Sequence, residues 1–353
     1  MVFMQKERLL YIDVIRVIAC LMVVAVHSPL PTDLTAATDT YLLAPFTYLM
    51  SPCNGLFFMI SGALLLKTKD VEYNTFLQHR LPKVVIPIIV WSILYMVIMC
   101  FRNSTSVSES ITYFSRYLVT MFFASSEAVN GTLWFMYVLI GIYLLVPILS
   151  PWWQRASKRE VEFYLVLWVI TMCYPYIRLF IDIPTNEWNM MHYFSGYLGY
   201  FILGAYLKRY PILRNRLKYV IMIGILGSVL MPALTYLLLM LIGKESSWNA
   251  TLTWSMSISS ATMCLVYFVF IQQSRFFNTN NKLTYFTSKL SPLTFGIYLM
   301  HVTGLWLFKY SGFFSNVQYI LSIPAIFILT FISVSFCIWL ISKTPISKYV
   351  IGV

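Results

Sequence analysis

Charge is scarce in this chain, and acid is scarcest: Asp, Glu, Lys and Arg make up 11% of the residues, with 13 acidic against 25 basic. A soluble domain of 353 residues carries about a quarter of its residues charged, so the water-soluble classes are excluded. Histidine occurs four times and cysteine six times. The cysteines, Cys20, Cys53, Cys100, Cys173, Cys264 and Cys337, fall singly in or beside apolar runs, with no CxxC pair and no His at ligand spacing. Neither a disulfide framework nor a metal site is expected. Fixed-period repeats, low-complexity tracts and inverted pairs of broken helices are missing as well, which removes solenoids and the common transporter pattern.

What the chain has is apolar length. Hydrophobic residues reach 59%, mean hydropathy is +0.74, and runs of about 20 apolar residues recur from end to end, each long enough to cross a hydrocarbon core. The reading is an all-α integral membrane protein of about ten transmembrane helices. The expected spans are 9–29, 44–66, 82–101, 132–150, 160–181, 192–208, 217–242, 250–273, 290–310 and 317–341. One polytopic domain then occupies 1–353, with no appended soluble domain. The first run follows Lys6 and Arg8 as a signal peptide would, but it holds Asp13 and Arg16 and ends in His27-Ser28-Pro29 without an A-x-A site. It is read as a helix. Segment 111–124 has Arg116 inside it and is too short to span, so it is expected to lie on the outer surface.

The net charge of +12 does not mark a nucleic-acid partner, because the basic residues cluster between apolar runs and not on one face or a tail. With the N-terminus inside, inner segments hold nineteen of the 25 Lys and Arg, and outer loops hold only Arg102, Arg116, Lys244 and Lys309. The positive-inside rule then places both termini in the cytoplasm.

Arg16 and His27 stand eleven residues apart on the first helix, which at 100° per residue returns them to within about 20° of one face. They are separated by roughly 16 Å along the axis. One reading has Arg16 snorkelling to the inner headgroups or pairing with Asp13, and His27 resting at the outer interface. The other has both facing a polar site, since Arg on a membrane helix costs about 2.5–3.5 kcal/mol unless it faces protein or a cavity.

The R-x10-H spacing of Arg16 and His27 resembles the signature of the membrane-bound acyltransferase-3 family. Phe57 to Leu66, FFMISGALLL, is similar to that family's F-x-x-S-G-Y-L segment, with Ala63 where tyrosine is common. Gly131 to Tyr137, GTLWFMY, with the VLIGIYLLVPIL that follows, resembles another of its helices. Leu290-Ser291 with Phe295 to His301, FGIYLMH, resembles a fourth segment. The resemblance covers nearly the whole chain.

It implies O-acyl transfer, usually of acetyl, from cytoplasmic acyl-CoA as co-substrate to a hydroxyl of a cell-surface or lipid-linked carbohydrate, in a bacterial plasma membrane. No permanently bound cofactor is implied. Membrane lipids are the further partners, and a homo-oligomer is left open. Carried over by position, Arg16 would contact the donor and His27 would be catalytic, either as general base or as acyl carrier.

Asp13 lies too far from His27 to orient it, so Glu127, Asp182 and Glu187 are candidates for that role by location alone. Lys67, Lys69, Arg80 and Lys83 could hold coenzyme A phosphates or merely enforce topology, and the resemblance favours Arg80 and Lys83 for the donor. The 208–218 loop, KRYPILRNRLK, reads as topological.

Tyr298 and His301 share a span and are read as supporting, with a core histidine an equal alternative. Arg178, beside Asp182, leans to a structural pair. His79 and His192 carry little information. Trp152, Trp153, Trp188 and Trp248 read as an interfacial aromatic belt. Two rivals from other classes remain: a transporter or flippase of a lipid-linked saccharide, and a non-catalytic ligand sensor.

Overall fold

The computed structural model describes residues 8–29, 45–66, 73–103, 106–120, 131–181, 190–244, 256–314 and 319–352. Every regular element among them is helical. Among the described residues, seven helices are long and apolar enough to cross a membrane: Pro45–Leu65, Tyr73–Ile98, Trp134–Arg155, Lys158–Phe180, Arg214–Leu241, Lys282–Lys309 and Leu321–Ile341. The chain is a multi-pass membrane protein.

Three of the ten expected spans are shorter helices. Leu10–Val26 has 17 residues, Ile258–Gln273 has 16 and Leu198–Arg209 has 12. Local chemistry shortens the last two. Ser257 caps Ile258–Gln273 by accepting from the Ser260 amide at 3.3 Å, although apolar sequence continues upstream. Gly196 takes φ +94 ahead of Leu198, which breaks the expected 192–208 span after a single 3-10 turn at His192–Phe194. At 1.5 Å per residue, twelve residues reach about 18 Å, short of a full crossing. The stretch expected as the inner loop 274–289 is itself helical over Arg275–Asn278 and Lys282–Leu290.

The chain divides into two compact units, Met1–Lys67 with Arg155–Ser291, and Thr68–Gln154 with Pro292–Val353. In the first, Leu10–Val26 is central, with Ile15, Ala19, Cys20 and Val24 fully buried. It packs on Cys53–Leu65, Ile258–Gln273 and Lys282–Leu290.

Lipid supplies no hydrophobic drive between helices, so close approach must hold them together. Cys53–Leu65 and Leu198–Arg209 achieve it at two glycines. A Cβ on Gly62 would stand 1.7 Å from the Phe201 carbonyl oxygen, and one on Gly204 would stand 2.0 Å from that of Met59. The Gly62 of FFMISGALLL is therefore a backbone crossing point. Lys208 closes the same pair by donating from Nζ to the Ala63 carbonyl at 2.7 Å.

Pro232 interrupts the Arg214–Leu241 helix just after a π-helical turn, Leu226–Leu230. It has no N–H to offer the Ser228 carbonyl, and the Tyr48 hydroxyl donates to that oxygen at 2.6 Å.

The second unit gathers Pro82–Asn103, Trp134–Arg155, Thr294–Tyr310 and Tyr319–Ile341. Tyr95 donates to the Leu299 carbonyl at 2.7 Å, and Trp91 donates from Nε1 to the Val350 carbonyl at 2.9 Å. The second bond fixes the C-terminal Ser347–Val350 turn, whose neighbour Ile351 is buried. Val107–Thr120 is a separate 14-residue helix, consistent with the expectation that 111–124 is too short to span.

Candidate functional site

Arg16 is half-buried midway along Leu10–Val26, and its Nη1 donates to the Ser291 hydroxyl at 3.0 Å. Ser291 is 1% exposed and opens the 3-10 turn that follows Lys282–Leu290. The guanidinium therefore has a protein partner. Asp13 is buried one turn earlier, and its carboxylate is taken by Arg8 through Nε at 2.5 Å. Arg8, from outside the helix, is thus an ion-pair partner of Asp13 that spacing within the helix did not suggest. Arg8 also donates to the Ser288 carbonyl.

Together Arg8, Asp13 and Arg16 face a row of small polar groups on the Lys282–Leu290 helix and its end: Thr284, Thr287, Ser288 and Ser291. Their i, i+3, i+4, i+7 spacing puts the row on one face. A polar seam thus runs up the N-terminal half of the first helix.

His27 closes that helix at its other end, half-exposed, with Ser28 buried behind it and bonded to the Val24 carbonyl at 2.7 Å. Between Arg16 and His27 the same stripe carries Cys20 and Val23, both buried. Polarity is confined to the stripe's two ends.

The second unit brings together two of the segments singled out in the sequence. The Tyr298 hydroxyl donates to the Thr132 carbonyl, and the Tyr298 ring lies 5.5 Å from that of Phe135. His301 is buried, with Nδ1 2.5 Å from the Tyr298 carbonyl. A carbonyl can only accept, so Nδ1 is the donor in this contact. Arg80 and Lys83 are exposed at the start of Pro82–Asn103, and the Lys83 carbonyl closes on Gly352, where an added Cβ would stand at 2.2 Å.

Arg178 is exposed, with its guanidinium 5.8 Å from the Tyr174 ring. His79 and His192 are exposed. Trp153 is 1% exposed and belongs to the interior, a correction to its placement in an aromatic belt. Lys67, Lys69, Glu127, Asp182, Glu187, Trp188 and Trp248 lie outside the described residues. No group of three or more metal-ligating side chains occurs among the described residues. Sequence reasoning quoted Ser291 within a motif but missed it as the partner of Arg16, since nothing local connects positions 275 residues apart.

The sequence profile of the acyltransferase-3 family, described as an acyltransferase domain, matches residues 9–342. The chain belongs to the acyltransferase-3 family. No curated protein and no solved structure matches it. In this acyltransferase, the matched region begins at Leu9, one residue before the first helix, and takes in Arg16, His27, Ser291 and His301.

Proposed function

We propose that this membrane acyltransferase moves an acetyl group from cytoplasmic acetyl-CoA to a hydroxyl of a cell-surface or lipid-linked carbohydrate, in a bacterial plasma membrane with both termini cytoplasmic. The observation that carries the reading is the first helix itself, which holds Arg16 against Ser291 in its middle and presents His27 at its far end.

Arg16 is assigned to the donor because a guanidinium carries the permanent positive charge that suits polyanionic coenzyme A. His27 supplies the proton chemistry. As its imidazole takes the proton of the acceptor hydroxyl, the oxygen attacks the thioester carbonyl, the C–O bond forms and the C–S bond breaks. The proton passes to the departing thiolate, giving free coenzyme A. With the imidazole as acyl carrier, the same bonds change in two steps.

Purified protein in detergent tests this reading. Arg16→Ala should weaken acetyl-CoA binding, whereas His27→Ala should bind normally and lose slow thioester turnover. If the folded parent neither binds nor turns over several acyl-CoAs, the donor reading fails and a lipid-linked saccharide transporter takes its place.

A further inference from the structure

Where the polar seam reaches the N-terminal end of the first helix, it opens into a cavity of about 360 Å³, within the range of small-ligand sites. Leu10 of the first helix forms one wall. The first turns of Lys282–Leu290 form the other, with Lys282, Thr284, Tyr285 and Ser288. Asn280 and Asn281 complete the rim; six of the seven lining residues carry a polar group, while most of the exposed lining surface is carbon. The lining holds a cation and no carboxylate among the described residues, and Arg8 stands beside it, bonded to the Ser288 carbonyl.

The floor is rigid. Asn281 and Thr284 form a reciprocal capping box, each side chain bonded to the other's backbone N–H at 2.9 Å. Tyr285 by contrast is 68% exposed, and Lys289 stands 5.5 Å from its ring centroid. A flat ring, an exposed amide on Asn280 and flanking cations together match a purine nucleotide. The ring stacks on the base, the amide pairs with a base edge, and Lys282 meets a phosphate.

We infer that this cavity binds the 3′-phosphoadenosine end of the acyl donor. The pantetheine arm then lies along the seam toward Arg16, six residues or about 9 Å further along the helix. The inference rests on the acyl-CoA reading above and adds to it the reason for choosing coenzyme A over other thioesters. A donor lacking the nucleotide, such as acyl-pantetheine or a carrier-protein thioester, would forgo the whole cavity.

The test measures binding of coenzyme A, pantetheine and 3′,5′-ADP to the full chain in detergent, for the parent and for Tyr285→Ala, Asn280→Ala and Arg16→Ala. Tyr285 and Asn280 are exposed, so these variants should fold as the parent does. The parent should bind coenzyme A at least tenfold more tightly than pantetheine, and 3′,5′-ADP should displace it. Tyr285→Ala should weaken coenzyme A roughly tenfold while sparing pantetheine. Arg16→Ala should weaken pantetheine while sparing 3′,5′-ADP.

If the parent binds coenzyme A and neither Tyr285→Ala nor Asn280→Ala changes its affinity, the cavity assignment is overturned and the acyl-CoA reading survives. Equal affinity of the parent for coenzyme A and pantetheine overturns it in the same way. If the parent binds no coenzyme A, both fall.

Discussion

Arg16 and Ser291 meet at 3.0 Å across 275 residues of sequence, and the contact joins the first helix to the start of the segment that carries His301. A hydroxyl accepting from a guanidinium fixes the direction in which the remaining N–H groups point. Ser291→Ala removes that acceptor from a buried site, a change worth about 1.5–3 kcal/mol when one partner is charged. The expected result is a roughly tenfold loss in kcat/KM with acetyl-CoA. Ser291→Thr keeps the hydroxyl and should lose less. Equal rates for the parent and Ser291→Ala would mean that Arg16 is positioned by other groups.

The crossing of Cys53–Leu65 with Leu198–Arg209 should tolerate no methyl group. In Gly62→Ala the new Cβ would sit 1.7 Å from the Phe201 carbonyl oxygen, and backbone cannot rotate away as a side chain can. Overpacking of this kind costs about 1–3 kcal/mol or more, so the unfolding midpoint in detergent should fall by several degrees. Gly141→Ala is the control. Nothing lies within 4 Å of its Cβ position, and the alanine should leave the midpoint unchanged or raise it slightly.

These two relationships show where sequence reading stops. The stripe holding Arg16 and His27 follows from helical period alone, and an expected span overlaps each of the seven long apolar helices, although Tyr73–Ile98 and Lys282–Lys309 begin eight or nine residues ahead of it. The Gly62 motif was legible as a pattern, but the carbonyl it lies against belongs to a helix more than a hundred residues away. The Lys282–Leu290 helix read as a loop because KLTYFTSKL is too short and too polar to cross a membrane; an Asn281 and Thr284 capping box starts it, and it packs on the first helix. Spacing offered Arg16 as one neighbour for Asp13, and it gave no sign of Arg8, which folds back from outside the helix to pair with the acid. The shorter helices at three of the expected spans have a similar origin: hydropathy counts apolar residues and does not register a Ser257 cap or a left-handed Gly196.

Tyr298 separates packing from chemistry in the second unit. Tyr298→Phe keeps the ring beside Phe135 and deletes only the hydroxyl that donates to the Thr132 carbonyl. The loss should be about 1 kcal/mol of stability, read as a small fall in the unfolding midpoint, with acetyl-CoA binding unchanged. A large fall in turnover at unchanged stability would instead place the hydroxyl at the reacting atoms.

Orientation decides which end of the first helix meets the donor. Nineteen of the 25 Lys and Arg fall in segments that share a side when the N-terminus is inside, a bias strong enough to set topology. In a cysteine-free background, Thr344→Cys near the C-terminus should react with a membrane-impermeant maleimide only after cells are permeabilised. Lys244→Cys, at the far end of the Arg214–Leu241 helix, should react in intact cells. Both positions are exposed, so labelling reports the side of the membrane and not burial. The reverse pattern would put the Leu10 and Tyr285 cavity outside the cell, where no cytoplasmic acyl-CoA could reach it, and would leave His27 facing the cytoplasm.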